Sequence, residues 1–136
     1  QTIHLISINN IKNLINTCKK NLNPGGKIFV FTLDPFKNEI PSFKLMKKLL
    51  NKSLQRDKII LKFLSKLDSK VISKKFFYKV KITKKKYSKM VKNRFISTLL
   101  PMTKKEILDG IKEIDIKFNK ILNFNDNLIC IILKKN

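Results

Sequence analysis

The sequence predicts an α/β fold, and three observations carry that prediction. Apolar residues between positions 8 and 22 recur at helical spacing, an Asn23-Pro24-Gly25-Gly26 turn follows them, and residues 27–33 then form a strand-like run that is apolar on both faces. A strand of that kind belongs in a sheet covered on both sides. With 136 residues, 43% of them hydrophobic, the chain suffices for one small folded unit and is too apolar for a disordered basic tail. The longest apolar run, residues 128–133, falls far short of the roughly 20 residues a membrane helix needs, so no membrane span is expected. Residues 1–22 scatter asparagine and lysine through their apolar positions and lack the continuous core of a secretory signal, which makes a cytoplasmic location the expectation.

Each element has its own warrant. In the first helix Ile8, Ile11, Leu14, Ile15, Cys18 and Leu22 share a face. Pro24 cannot continue its hydrogen-bond ladder, and the two glycines permit the reversal into the strand Lys27-Ile28-Phe29-Val30-Phe31-Thr32-Leu33. Asp34-Pro35 ends that strand. Pro41-Ser42 opens a long helical stretch to about residue 67, marked by Phe43, Leu45, Met46, Leu49, Leu50 and Leu54, with a second helix expected to begin near Asp57. Phe76, Tyr78, Val80 and Ile82 alternate with Phe77, Lys79 and Lys81, which predicts a half-buried strand with one wet face.

Thr83 is placed to cap the next helix, on which Tyr87, Met90, Val91, Arg94 and Phe95 fall on one side. An arginine within that apolar stripe calls for a partner. Thr103-Lys104-Lys105-Glu106 is a capping box, and the helix it opens carries Ile107, Leu108, Ile111 and Ile114 while tolerating Gly110 at a cost of about 1 kcal/mol. A closing hairpin is expected from residues 116–124 and 128–133, with Asn125-Asp126-Asn127 as its turn.

Charge sets the alternatives. There are 31 Lys+Arg against 9 Asp+Glu, a formal charge of +22, and such a field attracts nucleic acid. Only Arg56 and Arg94 are arginine, however, and phosphate and base recognition favours arginine's planar fork. The chain also has no alanine and is rich in isoleucine and asparagine, a profile expected where A- and T-rich codons dominate, and such bias can supply much of the charge. Lys84-Lys85-Lys86, with Lys74-Lys75, Lys79 and Lys81 before it, is read as a solvated face, and Phe76, Phe77 and Tyr78 beside it as core. A basic nucleic-acid-binding module is therefore the alternative and not the favoured reading. Cys18 and Cys130 stand far apart with a single histidine, which predicts two reduced, buried thiols and no metal site.

The order helix, Asn-Pro-Gly-Gly, buried strand, helical insertion, helix and terminal strand pair resembles the carboxy-terminal half of a class I S-adenosylmethionine-dependent methyltransferase. In that family a phrase like Leu22-Asn23-Pro24-Gly25-Gly26-Lys27-Ile28 joins the fourth helix to the fifth strand, and strands six and seven form the closing antiparallel hairpin. Gln1-Thr2-Ile3-His4-Leu5 resembles the Gln-x-x-His-aromatic segment after strand four in the small-molecule branch, with Leu5 departing from the usual aromatic residue. Residues 87–100, with Arg94-Phe95-Ile96-Ser97-Thr98, resemble the substrate-covering lid of enzymes similar to trans-aconitate methyltransferases.

The resemblance implies the distal half of a Rossmann-like, doubly wound sheet. Residues 1–40 and 104–136 would form the sheet core and residues 41–103 a mainly helical lid. It implies S-adenosylmethionine as cofactor, with Gln1 at the cofactor, His4 as the catalytic residue that deprotonates or orients the acceptor, and Arg94 and Tyr87 as substrate-binding residues. Arg94 suits a substrate carboxylate because a guanidinium meets one bidentately. The family's glycine-rich turn after strand one and its strand-end acid are not in this chain, and Gly25-Gly26 precede a strand instead of opening a helix. The chain is accordingly expected to work with a missing amino-terminal half of the same domain and to be inactive alone.

Overall fold

The computed structural model describes residues 3–67 and 70–135, which form four α-helices and three strands in a small antiparallel sheet. In chain order these are α1 (Ile8–Asn21), β1 (Lys27–Leu33), α2 (Lys44–Lys66), β2 (Ile72–Thr83), α3 (Lys84–Lys92), α4 (Lys104–Lys117) and β3 (Ile121–Lys134). The strand order is β1-β3-β2, so the last strand lies between the other two. β1 runs antiparallel to β3 in a register from Lys27 opposite Lys134 to Leu33 opposite Leu128.

Local chemistry sets the boundaries. The Ser7 hydroxyl caps α1 by accepting from the Asn10 amide, Thr83 caps α3 by accepting from Lys86, and Thr103 and Glu106 close a reciprocal capping box on α4. Between α1 and β1 the chain turns through Gly25, whose φ of 75° lies in the left-handed region that a side chain disfavours.

The chain divides into two compact units. One takes in the segment up to Lys37, Leu54–Phe77 and the segment from Asn127 onward; the other takes in Asn38–Ser53 and Tyr78–Asp126. In the first, Ile11 and Ile15 of α1 and Ile60, Leu61 and Leu64 of α2 bury against Ile129, Ile131 and Leu133 of β3, with Ile28 and Val30 of β1 beside them. In the second, Phe43, Met46, Tyr87, Val91, Leu99, Met102, Ile107, Ile114 and Leu122 form one closed cluster. Each such side chain contributes roughly 1.5–3 kcal/mol of hydrophobic stabilisation.

Several expectations are corrected. The predicted terminal hairpin does not form: residues 116 and 117 end α4, and β3 passes through Asn125-Asp126-Asn127 without turning. Asn125 and Asn127 hold this stretch extended because their groups find partners there. Asn125 donates from its backbone amide and from Nδ2 to Glu39, and the Asn127 carbonyl accepts from the Asp34 amide. β3 instead has β1 on one side and β2 on the other, and β2 lies inside the stretch expected as lid. α2 is one unbroken helix through Asp57, since Ile60, Leu61 and Leu64 prolong its apolar stripe. α3 ends at Lys92, so Arg94 and Phe95 lie beyond it. Phe76, Phe77 and Tyr78 are exposed rather than core, and Cys18 is only half-buried.

Candidate functional site

The second unit contains two of the residues proposed for substrate binding. α3 stops at the Asn93 cap, and Arg94 takes a left-handed φ of 53°, an uncommon conformation for a bulky residue. What holds it there is its side chain. Nε donates to the Leu99 carbonyl at 3.2 Å and Nη2 donates to the Met102 carbonyl, so the guanidinium ties down the loop between α3 and α4. The partner that the sequence demanded for this arginine is thus a pair of backbone oxygens rather than an acid.

Beside it lies a cavity of about 240 Å³ lined by Lys92, Asn93, Arg94, Lys104, Ile107 and Leu108. Its lining combines three cationic residues with the apolar Ile107 and Leu108, a combination suited to a small molecule with an anionic end. Among the described residues Lys92 and Lys104 have no carboxylate partner.

Tyr87 is fully buried in the core of the same unit. Its hydroxyl donates to the Pro41 carbonyl, and its ring meets Phe95 and Phe124 edge-on at 5.7 and 6.2 Å. Burial pushes its phenol well above the ordinary tyrosine range, which keeps it neutral and a donor. It supports the loop's neighbours and does not line the cavity beside Arg94. Gln1 lies outside the described residues, as does the side chain of His4, whose backbone forms a short 3₁₀ turn at Ile3–Leu5.

The first unit offers a surface that the sequence reading missed. In β1, Ile28 and Val30 face the helices while Lys27, Phe29 and Phe31 alternate onto the other face. The β3 residues opposite these three are Lys134, Ile132 and Cys130. Phe76 of β2 joins the same face, its ring 6.2 Å from that of Phe31. The three rings are 55, 47 and 48% exposed for Phe29, Phe31 and Phe76. Lys74, two residues before Phe76, lies near enough to Cys130 to pull its thiol pKa down, while burial pushes it up more strongly. The signal was present as a period-two pattern, Lys27-x-Phe29-x-Phe31 and Lys74-x-Phe76, which places cations and rings on one side of a strand.

At the carboxyl end of β1, the position where α/β sheets gather ligands, Asp34 is buried and already engaged. Its Oδ1 accepts from the Phe36 amide at 2.8 Å and its Oδ2 lies 3.7 Å from Lys75 Nζ. The glycine turn at Gly25-Gly26 lies at the opposite, amino end of the strand. The described residues do not place a glycine pair between a strand and a following helix. Nor do they contain a group of three His, Cys, Asp or Glu side chains able to hold a metal, or a helix long and apolar enough to cross a membrane. No protein-family model matches this chain, and no curated protein sequence matches it significantly.

Proposed function

We propose that this chain is the distal part of a class I S-adenosylmethionine-dependent methyltransferase that acts on a small, carboxylate-bearing molecule. The observation that carries the reading is the setting of β1. It follows α1 and the Asn-Pro-Gly-Gly turn, pairs antiparallel with the last strand of the chain, and stands at the edge of the sheet with its other side unpaired among the described residues. A long apolar strand with an open edge is a liability that folded proteins avoid, and its natural remedy is a neighbouring strand. On this reading the neighbour, the cofactor-binding turn and the strand-end acid come from another segment. The residues of this chain then contribute positioning: the Arg94 loop and the cationic cavity beside it receive the substrate's anionic end, and His4 holds or accepts a proton near neutral pH.

Calorimetry tests this division of labour. Titration of S-adenosylmethionine into the 136-residue chain should give no heat of binding, and titration into the chain joined to the residues encoded immediately upstream of Gln1 should give micromolar binding. In the joined protein Lys104→Gln should raise KM for a small carboxylic acid roughly tenfold, the loss of one cationic contact in the cavity beside Arg94. Tight cofactor binding by the 136 residues alone, or none by the joined protein, would sink the reading.

A further inference from the structure

We propose that the uncovered sheet face of the first unit is a docking platform for single-stranded nucleic acid, with Phe29, Phe31 and Phe76 as its stacking rings and Lys27, Lys74 and Lys134 as its phosphate contacts. The inference goes beyond the methyltransferase reading and does not rest on it. Its first support is the exposure of the rings. Three phenylalanines on one sheet face, each about half open to solvent, leave apolar area uncovered at a cost that a neighbouring hydrophobic partner or a stacked base removes. Phe31 and Phe76 lie close enough to act together, and Phe29 and Phe31 are two residues apart on the strand, roughly 7 Å, so the row is continuous.

Charge decides the occupant. Lys27 and Lys134 lie directly opposite each other on this face, and Lys74 lies two residues from Phe76. Among the described residues none of the three has a carboxylate partner. A second copy of the chain would bring the same lysines, and another +22, against them, so self-association is opposed. A polyanion with flat apolar groups satisfies both halves of the surface. Unpaired bases have accessible π-faces, whereas duplex bases are locked in their stack, and a sheet face carries no helix or ribbon to enter a groove. With almost no arginine and no bidentate base contacts, binding should be tolerant of sequence.

Fluorescence anisotropy with a labelled oligouridine of about 12 nucleotides tests this on the full chain. Micromolar affinity is expected, falling steeply as salt rises from about 50 to 200 mM. Phe29→Leu, Phe31→Leu and Phe76→Leu keep the apolar area and the fold but remove the rings, and each should weaken binding about tenfold. Lys27→Gln and Lys134→Gln should each lower the salt slope by at most about one. Phe36→Leu, at an exposed ring that has Lys58 Nζ 5.3 Å from its centroid and is not one of the three stacking rings, should change nothing. The proposal is overturned by absence of binding, by leucine variants that bind like the parent, by a duplex that binds as well as the single strand, or by anionic phospholipid vesicles binding in preference to the oligonucleotide.

Discussion

The two units use their aromatic residues in opposite ways. The second buries Phe43 and Tyr87 completely and packs Phe95, Phe118 and Phe124 against them, so its rings stabilise a closed core. The first builds its buried cluster from aliphatic residues of α1, α2 and β3, packs Phe63 partly against it, and leaves Phe29, Phe31, Phe36, Phe76 and Phe77 about half or more exposed. A chain with this many apolar residues does not lack material for a core. Where rings stay outside although aliphatic side chains suffice within, the exposed rings are the better guide to what the surface meets.

Substitutions that strike one unit at a time sharpen the contrast. The largest effect is expected for Leu64→Ala in the first unit, where a fully buried side chain in an aliphatic cluster would leave a cavity costing about 3 kcal/mol, read from urea denaturation. In the second unit Gly110→Ala should cost about 2 kcal/mol by the same measurement. A Cβ there would fall 2.5 Å from the Phe43 ring, which is itself buried, so the ring or the helix must shift. A loss of only a few tenths of a kcal/mol would show that Phe43 moves aside freely.

Thr103→Ala should cost about 1 kcal/mol by removing the α4 cap, with a pH signature. The Thr103 amide and hydroxyl hold the Glu106 carboxyl below its ordinary range, so their contribution is present above the unfolded value and is lost as pH falls through the folded one. The variant should therefore lose part of the parent's acid-side stability slope.

The smallest effect is expected at Asp126, with the opposite sign. Burial raises its carboxyl, and Oδ1 has no hydrogen-bond partner, so the folded state holds the proton more tightly and loses stability as pH rises through that raised value. Asp126→Asn should gain less than about 1 kcal/mol at neutral pH, because solvent screens a partly exposed carboxylate. The difference should vanish in acid. Thermal melts across that range would read it.

Local signals were legible in the sequence. The threonine-marked starts of α3 and α4 and the glycine-marked turn into β1 agree with the residues that cap and turn them, because each depends on neighbours within a few positions. What failed was long-range. Asn125-Asp126-Asn127 reads as a turn until Glu39 and Asp34, distant in sequence, supply partners for an extended backbone. Gly110 reads as a tolerated flaw until Phe43 is seen packed on it. Arg94 reads as a helix residue awaiting an anion, whereas the carbonyls of Leu99 and Met102 hold it beyond the helix end. The aromatic face was misjudged for a different reason: apolarity on both sides of β1 suggested two covering layers, and the described helices cover one.

The open side of β1 also bears on how the polypeptide behaves in a tube. A strand edge unpaired among the described residues, beside apolar side chains, is a template for ribbon growth, and mutual repulsion among chains carrying +22 opposes it. Concentrated salt would weaken that repulsion, so turbidity should track ionic strength more closely than temperature.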